Sequence, residues 1–338
     1  MVRAVLVPEP GKLVLAEKAV PIIRESTEVL VRVKAGGICG TDLHIFHGTS
    51  PVATYPRVIG HEFVGEVVAR GRGVTRVREG DHVVVEPIFF CGKCYPCSIG
   101  RPNVCENLEV MGVHRDGGFQ EYVVVPERNV YPFSKDISWE EAVLMEPFTI
   151  ALQVADRGNI ASSDTVFIIG AGPIGLCILA YLKYLGAQCG ISDIIPKRLE
   201  RAKNLGADFV VHSGEENLER EVLRHFPGGA HVVIDASGLP ETFAQAVQLA
   251  SRAGRVVVLG FHTAPSPIPQ ASITLRELTI VGSRLQAHKF PQVVALFEER
   301  KLQPGKLVSH VFSFERVHEA FALLEHYPEE TCKVLLSF

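Results

Sequence analysis

Thr165–Asp193, TVFIIGAGPIGLCILAYLKYLGAQCGISD, holds the pattern that decides the fold. Val166–Ile169 reads as a buried strand, a short apolar run ended by glycine. Gly170-Ala171-Gly172-Pro173-Ile174-Gly175 follows as G-x-G-x-x-G, then an apolar helix and a second short strand. In that strand–turn–helix context the motif predicts dinucleotide binding. Gly170 permits the tight turn, Gly172 lets the backbone approach a pyrophosphate, and Gly175 lets helix and strand pack closely. Pro173 and Ile174 open a helix whose N-terminal N–H groups and dipole favour phosphate. Asp193 ends the second strand, 23 residues after Gly170. A carboxylate there accepts from both ribose hydroxyls and repels a 2′-phosphate, which favours NAD over NADP. Lys197 and Arg198 lie close by, and Arg198 is placed to cover an adenine face. The alternative makes Asp193 an ordinary helix cap.

Outward from this stretch, HVVIDASG and GRVVVLGF read as two more apolar strands, separated by a helical ETFAQAVQLASRA. Strands alternating with helices predict a doubly wound parallel sheet over residues 148–286. Leu259, Gly260, Ser283 and Arg284 follow predicted strands and are candidate cofactor contacts. ASITLRELTIVGSR reads as an edge strand, which invites pairing with a second subunit as a homodimer or homotetramer.

The beginning of the chain differs. VLVRVKAGG, EFVGEVVARG and DHVVVEPIFF are short β-branched runs between glycine and proline turns, which suggests a small β-barrel or sandwich over residues 1–147. In SWEEAVLMEPFTIALQVADRG the apolar spacing turns helical, with Ser138 able to cap and Glu141 three residues on. The final KVLLSF reads as one more strand, so residues 287–338 are assigned back to the first domain.

Cys91, Cys94, Cys97 and Cys105 stand as C-x2-C-x2-C-x7-C in CGKCYPCSIGRPNVC. The spacing suits a closed tetrahedral zinc site with a structural role. An iron–sulfur cluster is the rival, although the seven-residue gap and the glutamate after Cys105 depart from the common ferredoxin run. Disulfides suit a short secreted chain better than this one. Cys39 in GGICGTDLH and His61 in VIGHEFVGE supply a thiolate and an imidazole, with Glu62 adjacent and Glu146 further on in LMEPF. A catalytic zinc needs about three protein ligands and an open position. A lone cysteine and a lone histidine are also common core residues, and the residues alone leave that alternative standing.

Composition sets limits. Hydrophobic residues make up 47%, charged residues 21%, and the net charge is −4, which gives no electrostatic footprint for nucleic acid. No apolar run reaches the length of a membrane span, and Pro8 and Pro10 interrupt the N-terminus, so a cytoplasmic protein is expected.

GICGTDLH, GHEFVGEV, the four-cysteine loop and GAGPIGL occur in the same order as in the zinc-dependent medium-chain alcohol and polyol dehydrogenases, and the chain resembles that family from end to end. CGKCYPCSIGRPNVC, GVHRDGGFQEY, MEPFTIA and SRLQAHKFP are similar to its starvation-sensing-protein and hexonate 5-dehydrogenase subgroup. The resemblance implies a GroES-like β-barrel catalytic domain beside a Rossmann domain, with the active site in the cleft between them. It implies two zinc ions per subunit. Cys39, His61 and Glu146 are then stable catalytic ligands, and Glu62 exchanges with water. Glu146 departs from the cysteine of liver-type enzymes and follows the polyol branch. Asp42 resembles the carboxylate that accepts the free ring N–H of His61, with turn capping as its alternative. Thr41 matches the hydroxyl that contacts the substrate oxygen, and His44 the end of a proton relay, with a surface histidine as its alternative. The implied reaction transfers hydride from a secondary alcohol to NAD. The subgroup favours a sugar acid such as L-gulonate or L-galactonate oxidised at C5, with a sorbitol-like polyol or L-threonine as runner-up. Arg284 is a candidate for the substrate carboxylate, together with Phe46, His114, Arg115 and Lys289. A zinc-free reductase would lack the Cys/His pair and the cysteine loop. A non-enzymatic starvation-response protein would not need an open metal position.

Overall fold

The computed structural model describes residues 1–338 as two compact units, residues 1–146 with 287–338, and residues 147–286.

The second unit is built on six parallel strands in the order Phe209–His212, Gln188–Asp193, Thr165–Ile169, Ala230–Asp235, Ala250–Val258, Thr279–Gly282. The order turns outward in both directions from Thr165–Ile169 and Ala230–Asp235, which places a topological switch point at their C-terminal ends. Phe167, Phe209, Phe226 and Val233 form part of the core on one face. Two elements depart from the sequence reading, and Arg276 accounts for both. Its guanidinium donates to the carbonyls of Val247, Gln248 and Ala250 at 2.7–3.0 Å. That satisfies the C-terminal carbonyls of helix Pro240–Leu249, so the helix stops there and Ala250 already begins a strand. Arg276 Nε also bonds Ser272 O, within a stretch expected to be strand. Gln270–Thr274 is instead a short helix, and only Thr279–Gly282 forms the edge strand.

The first unit is β-rich. Lys12–Lys18, Val2–Glu9 and Arg57–Val58 make one small antiparallel sheet. A larger sheet contains, in adjacent positions, Glu62–Arg70, Glu28–Ile38, Lys333–Ser337 and Val308–Ser313. Val29, Val31, Phe63, Val67, Val83 and Val123 fill its interior. The last strand is inserted into this sheet. It pairs antiparallel with Glu28–Ile38, where Val334 faces Ile38, and parallel with Val308–Ser313. Val334, Leu335 and Leu336 are fully buried. Ser138 caps the helix that follows the barrel strands by accepting the N–H of Glu141 at 3.2 Å.

Leu335→Ala empties a site with no solvent exposure, and a large-to-small core change of this kind costs about 2–5 kcal/mol. The expected outcome is a lower denaturation midpoint for the first unit, followed through Trp139 fluorescence, with the second unit unfolding as before.

Candidate active site

Two strand ends and one clasp bring the chemistry together. Cys39 follows strand Glu28–Ile38 and is the N-cap of helix Gly40–Phe46. His61 immediately precedes strand Glu62–Arg70, which is the neighbour of Glu28–Ile38. Asp42, completely buried, accepts the Cys39 N–H at 2.9 Å through one oxygen and the Gly60 N–H at 3.0 Å through the other. It therefore ties the cysteine turn to the histidine turn. This corrects the expectation that Asp42 receives a ring N–H of His61. Its oxygens are committed to backbone donors, and His61 Nδ1 is buried without a partner.

One ligand atom from each of Cys39, His61 and Glu62 lies within 4.8 Å of the others. Glu146 begins helix Met145–Arg157 and is 4% exposed. It lies outside that 4.8 Å group, yet near enough to act electrostatically on His61. Burial, then the charge of Glu62, pushes Glu146 up to about 7. Burial also raises Asp42. For His61 burial acts to depress the imidazolium, but the Cys39 thiolate, Asp42 and Glu146 outweigh it and the net shift is upward. These groups make a buried concentration of negative charge beside an orphaned imidazole nitrogen. A divalent cation with thiolate, imidazole and carboxylate ligands fits both features.

Around this centre, Thr41 Oγ1 is 3.8 Å from Cys39 Sγ. His44 is exposed, and its Nδ1 meets Thr49 Oγ1 at 2.9 Å. No hydrogen bond joins Thr41 to His44. Thr49 was not signalled by any motif. Neither was Lys333, whose Nζ donates to both oxygens of Glu62 at 2.8 and 2.7 Å. The one hint was a lysine opening an otherwise apolar terminal strand. Among the residues considered for the substrate, His114 Nδ1 accepts the Val110 N–H at 3.1 Å, and Arg115 lies 4.1 Å over Phe89 and 3.5 Å from Glu109. Both are therefore engaged within their own loop. Phe46 packs edge-on to Phe321 at 5.7 Å, and Lys289 caps helix Phe290–Glu298.

The four loop cysteines form a second cluster. Cys94 Sγ lies 3.4 Å from Cys97 and 3.7 Å from Cys105, and Cys105 lies 3.5 Å from Cys91. Zn–S bonds of about 2.3 Å in a tetrahedron put sulfurs about 3.8 Å apart, so the spacing fits zinc without rearrangement. No disulfide forms. Backbone N–H groups of Lys93 and Cys94 draw Cys91 down to about 6, which favours the thiolate a metal requires.

In the second unit Gly172 is the N-cap of helix Pro173–Leu185, and a Cβ there would meet nothing within 4 Å. At Gly175 a Cβ would fall 1.9 Å from Gly170 O. One glycine thus leaves an open cradle before free helix N–H groups, and the other allows turn and helix to touch. Asp193 accepts the N–H of Ala171 at 2.8 Å and of Ile195 at 2.9 Å, with Arg198 3.7 Å away. The cap of the next helix is Ile195, not Asp193. Leu259 N bonds Asp235 O, and Ser283 N bonds Val258 O, so Leu259, Gly260 and Ser283 gather at the strand ends. The Ser283 hydroxyl is buried without a partner. Arg284 lies 5.8 Å over Phe261. The open cradle and the orphaned hydroxyl fit a dinucleotide.

Comparison with known proteins agrees with this geometry. Residues 25–135 match the model of the alcohol dehydrogenase GroES-like domain, and residues 173–299 that of the zinc-binding dehydrogenases. The chain is 44% identical over 338 residues to the starvation-sensing protein RspB of Escherichia coli K12, covering 99% of both. It is 35% identical over 315 residues to the L-galactonate-5-dehydrogenase of the same strain, covering 93% of this chain and 92% of that one. The crystal structure of RspB from E. coli CFT073 complexed with NADH superposes with a TM-score of 0.95 at 43% identity, over 100% of this chain and 99% of that one. No helix is long and apolar enough to cross a membrane.

Metal analysis separates the clusters. Purified protein is expected to carry zinc at both. Cys94→Ser should lose the loop ion and part of the stability, whereas Cys39→Ser should lose the other ion and leave the melting curve nearly unchanged. Elemental analysis with calorimetry checks this.

Proposed function

The chain belongs to the zinc-binding alcohol dehydrogenases, oxidoreductases that act on CH–OH groups, and on that basis we propose that it oxidises a secondary alcohol of a sugar acid, at C5 of an L-galactonate- or L-gulonate-like hexonate, with NAD. The convergence of Cys39, His61 and Glu62 on one buried point carries the dehydrogenase chemistry. The likeness to a relative named for L-galactonate supports the choice of substrate.

When bound, zinc supplies Lewis acidity toward the substrate oxygen and nicotinamide supplies the hydride acceptor. The protein does the rest. Cys39 and His61 would hold the metal together with a carboxylate, Glu146 as the stable ligand and Glu62, which lies within 4.8 Å of the other two donors, as the exchangeable one. Thr41 Oγ1, 3.8 Å from Cys39 Sγ, takes up the substrate hydroxyl proton as it passes its own proton onward, acting as a relay and not as a base. His44, fixed at Nδ1 by Thr49 and exposed to solvent, is the far end of the relay, and because it does not touch Thr41 a hydroxyl between them, such as that of the nicotinamide ribose when the cofactor is bound, would carry the proton across. Gly170, Gly172, Pro173, Ile174 and Gly175 hold the pyrophosphate, Asp193 the adenosine ribose and Arg198 the adenine. Leu259, Gly260 and Ser283 position the nicotinamide half. Arg284 offers a guanidinium for the substrate carboxylate. The edge strand Thr279–Gly282, half-exposed along its centre, supports assembly as a homodimer or homotetramer.

NADH formation should appear with a hexonate and not with the matching hexitol, L-threonine or simple alcohols, and should vanish on chelation and return with Zn²⁺. Turnover on hexitols or threonine alone would discard the sugar-acid reading and keep the dehydrogenase. Thr41→Val should lower kcat by about 10²–10⁴-fold with zinc content unchanged, as expected when a proton-transfer group is removed.

A further inference from the structure

The turn after helix Gly40–Phe46 delivers a second side chain to His44. His47 ends the helix, and its Nε2 lies 2.6 Å from Glu325 Oε1. Gly48 then takes φ +72°, and a Cβ there would fall 2.8 Å from Pro10 Cβ, so the reversal favours glycine on both counts. The reversed chain sends the N–H groups of Thr49 and Ser50 back to the carbonyl of His44, at 2.9 and 3.2 Å. Thr49 Oγ1 is thereby set against the same residue twice, 2.9 Å from ring Nδ1 and 3.3 Å from the carbonyl oxygen. The other ring nitrogen, Nε2, makes no hydrogen bond to the chain. Both side chains are exposed.

Resting on the reading of His44 as the far end of the relay, we infer that Thr49 is a positioning residue that fixes the proton of neutral His44 on Nδ1 and leaves Nε2 as the nitrogen that takes up a proton. A hydroxyl has one hydrogen to donate and two lone pairs. A carbonyl oxygen only accepts, so the Thr49 hydrogen goes to His44 O, and the Thr49 oxygen accepts from Nδ1–H. That carbonyl also accepts two N–H groups, in keeping with the longer of the two hydroxyl contacts. The opposite direction, with the hydroxyl donating to Nδ1, would satisfy the ring but leave two oxygens facing each other with no hydrogen between them. The hydrogen bond made by one ring nitrogen decides the protonation of the other. With Nδ1–H held by Thr49, the relayed proton adds to the lone pair of Nε2. The ring becomes imidazolium, and the added proton then leaves to water. His44 regains its starting tautomer without turning. Without Thr49 the proton of neutral imidazole is shared between both nitrogens, and a ring that carries it on Nε2 has no lone pair there.

The test uses zinc-loaded full-length protein, isotope-labelled at the histidine nitrogens. Two-bond proton–nitrogen correlation spectra distinguish the tautomers at about pH 8.5, where an ordinary imidazole is neutral. Comparison with His44→Asn identifies the His44 signals. The unaltered protein should show the Nδ1–H pattern. Thr49→Val and Thr49→Ala should both move it to the Nε2–H form or a mixture, and Thr49→Ser should keep the original pattern. An Nε2–H pattern in the unaltered protein overturns the inference, as does an Nδ1–H pattern that survives in Thr49→Val and Thr49→Ala. In NADH formation, Thr49→Val should lower kcat about two- to ten-fold with KM unchanged, on the scale of coupling between side chains in contact. It should cost nothing further in the His44→Asn background, and an equal loss in both backgrounds also overturns the inference. If His44→Asn itself leaves kcat unchanged, the relay reading fails, separately from the tautomer, which the spectra decide.

Discussion

The buried carboxylate of Asp42 is the constraint on which the catalytic region depends. The Cys39 and His61 turns are separated by helix Gly40–Phe46, a loop and the short strand Arg57–Val58, and although the Gly37–Glu62 pairing brings their strands together it does not set the turns themselves. Asp42 fixes their distance by accepting one backbone N–H from each turn. A carboxylate removed from water is costly unless its oxygens are bonded, so the two turns are held where they satisfy it. From that clasp follow the approach of thiolate to imidazole and the upward shift of His61. The charge that attracts a divalent ion follows as well. The residue expected to orient His61 through its ring does so instead through the backbone.

The two metal clusters solve different problems with related ligands. In the cysteine loop, successive thiolates come from one short segment with sulfur spacings already near those of a tetrahedron. Nothing distant is needed, and every position is filled by the chain. At the other cluster the donors differ in type and come from separate strands, and one carboxylate is restrained by a lysine from far along the sequence. The first arrangement offers the four ligands of a closed site, whereas the second groups three candidate donors of different kinds.

That contrast also explains what the sequence made legible. Features encoded within one segment were readable: the glycine turn of Gly170–Gly175, the cysteine loop, the Ser138 cap and the alternation of strands and helices. Features made by residues distant in sequence were not. Arg276 ends a helix by reaching its carbonyls from a later segment, so the helix was read too long and the edge strand with it. Thr49 holds His44 through a local turn with no signature. Lys333 meets Glu62 across 271 positions, which no periodicity can report. Asp42 was singled out, but its true partners are backbone groups, and backbone groups carry no residue-type signal.

The last strand lies between two older neighbours of the sheet, and its chain order has a consequence for synthesis. The segment 147–286 forms a unit of its own and leaves the ribosome before residues 287–338 do. The dinucleotide-type sheet can therefore fold while the barrel is still missing an interior strand. Until Lys333–Ser337 emerges, the edge of Glu28–Ile38 stays open and Glu62 has no ammonium beside it. The nucleotide-type sheet and the barrel are thus completed in the reverse of the order in which their first strands are made, and the Glu62 carboxylate gains its buried ammonium partner only when strand Lys333–Ser337 is inserted.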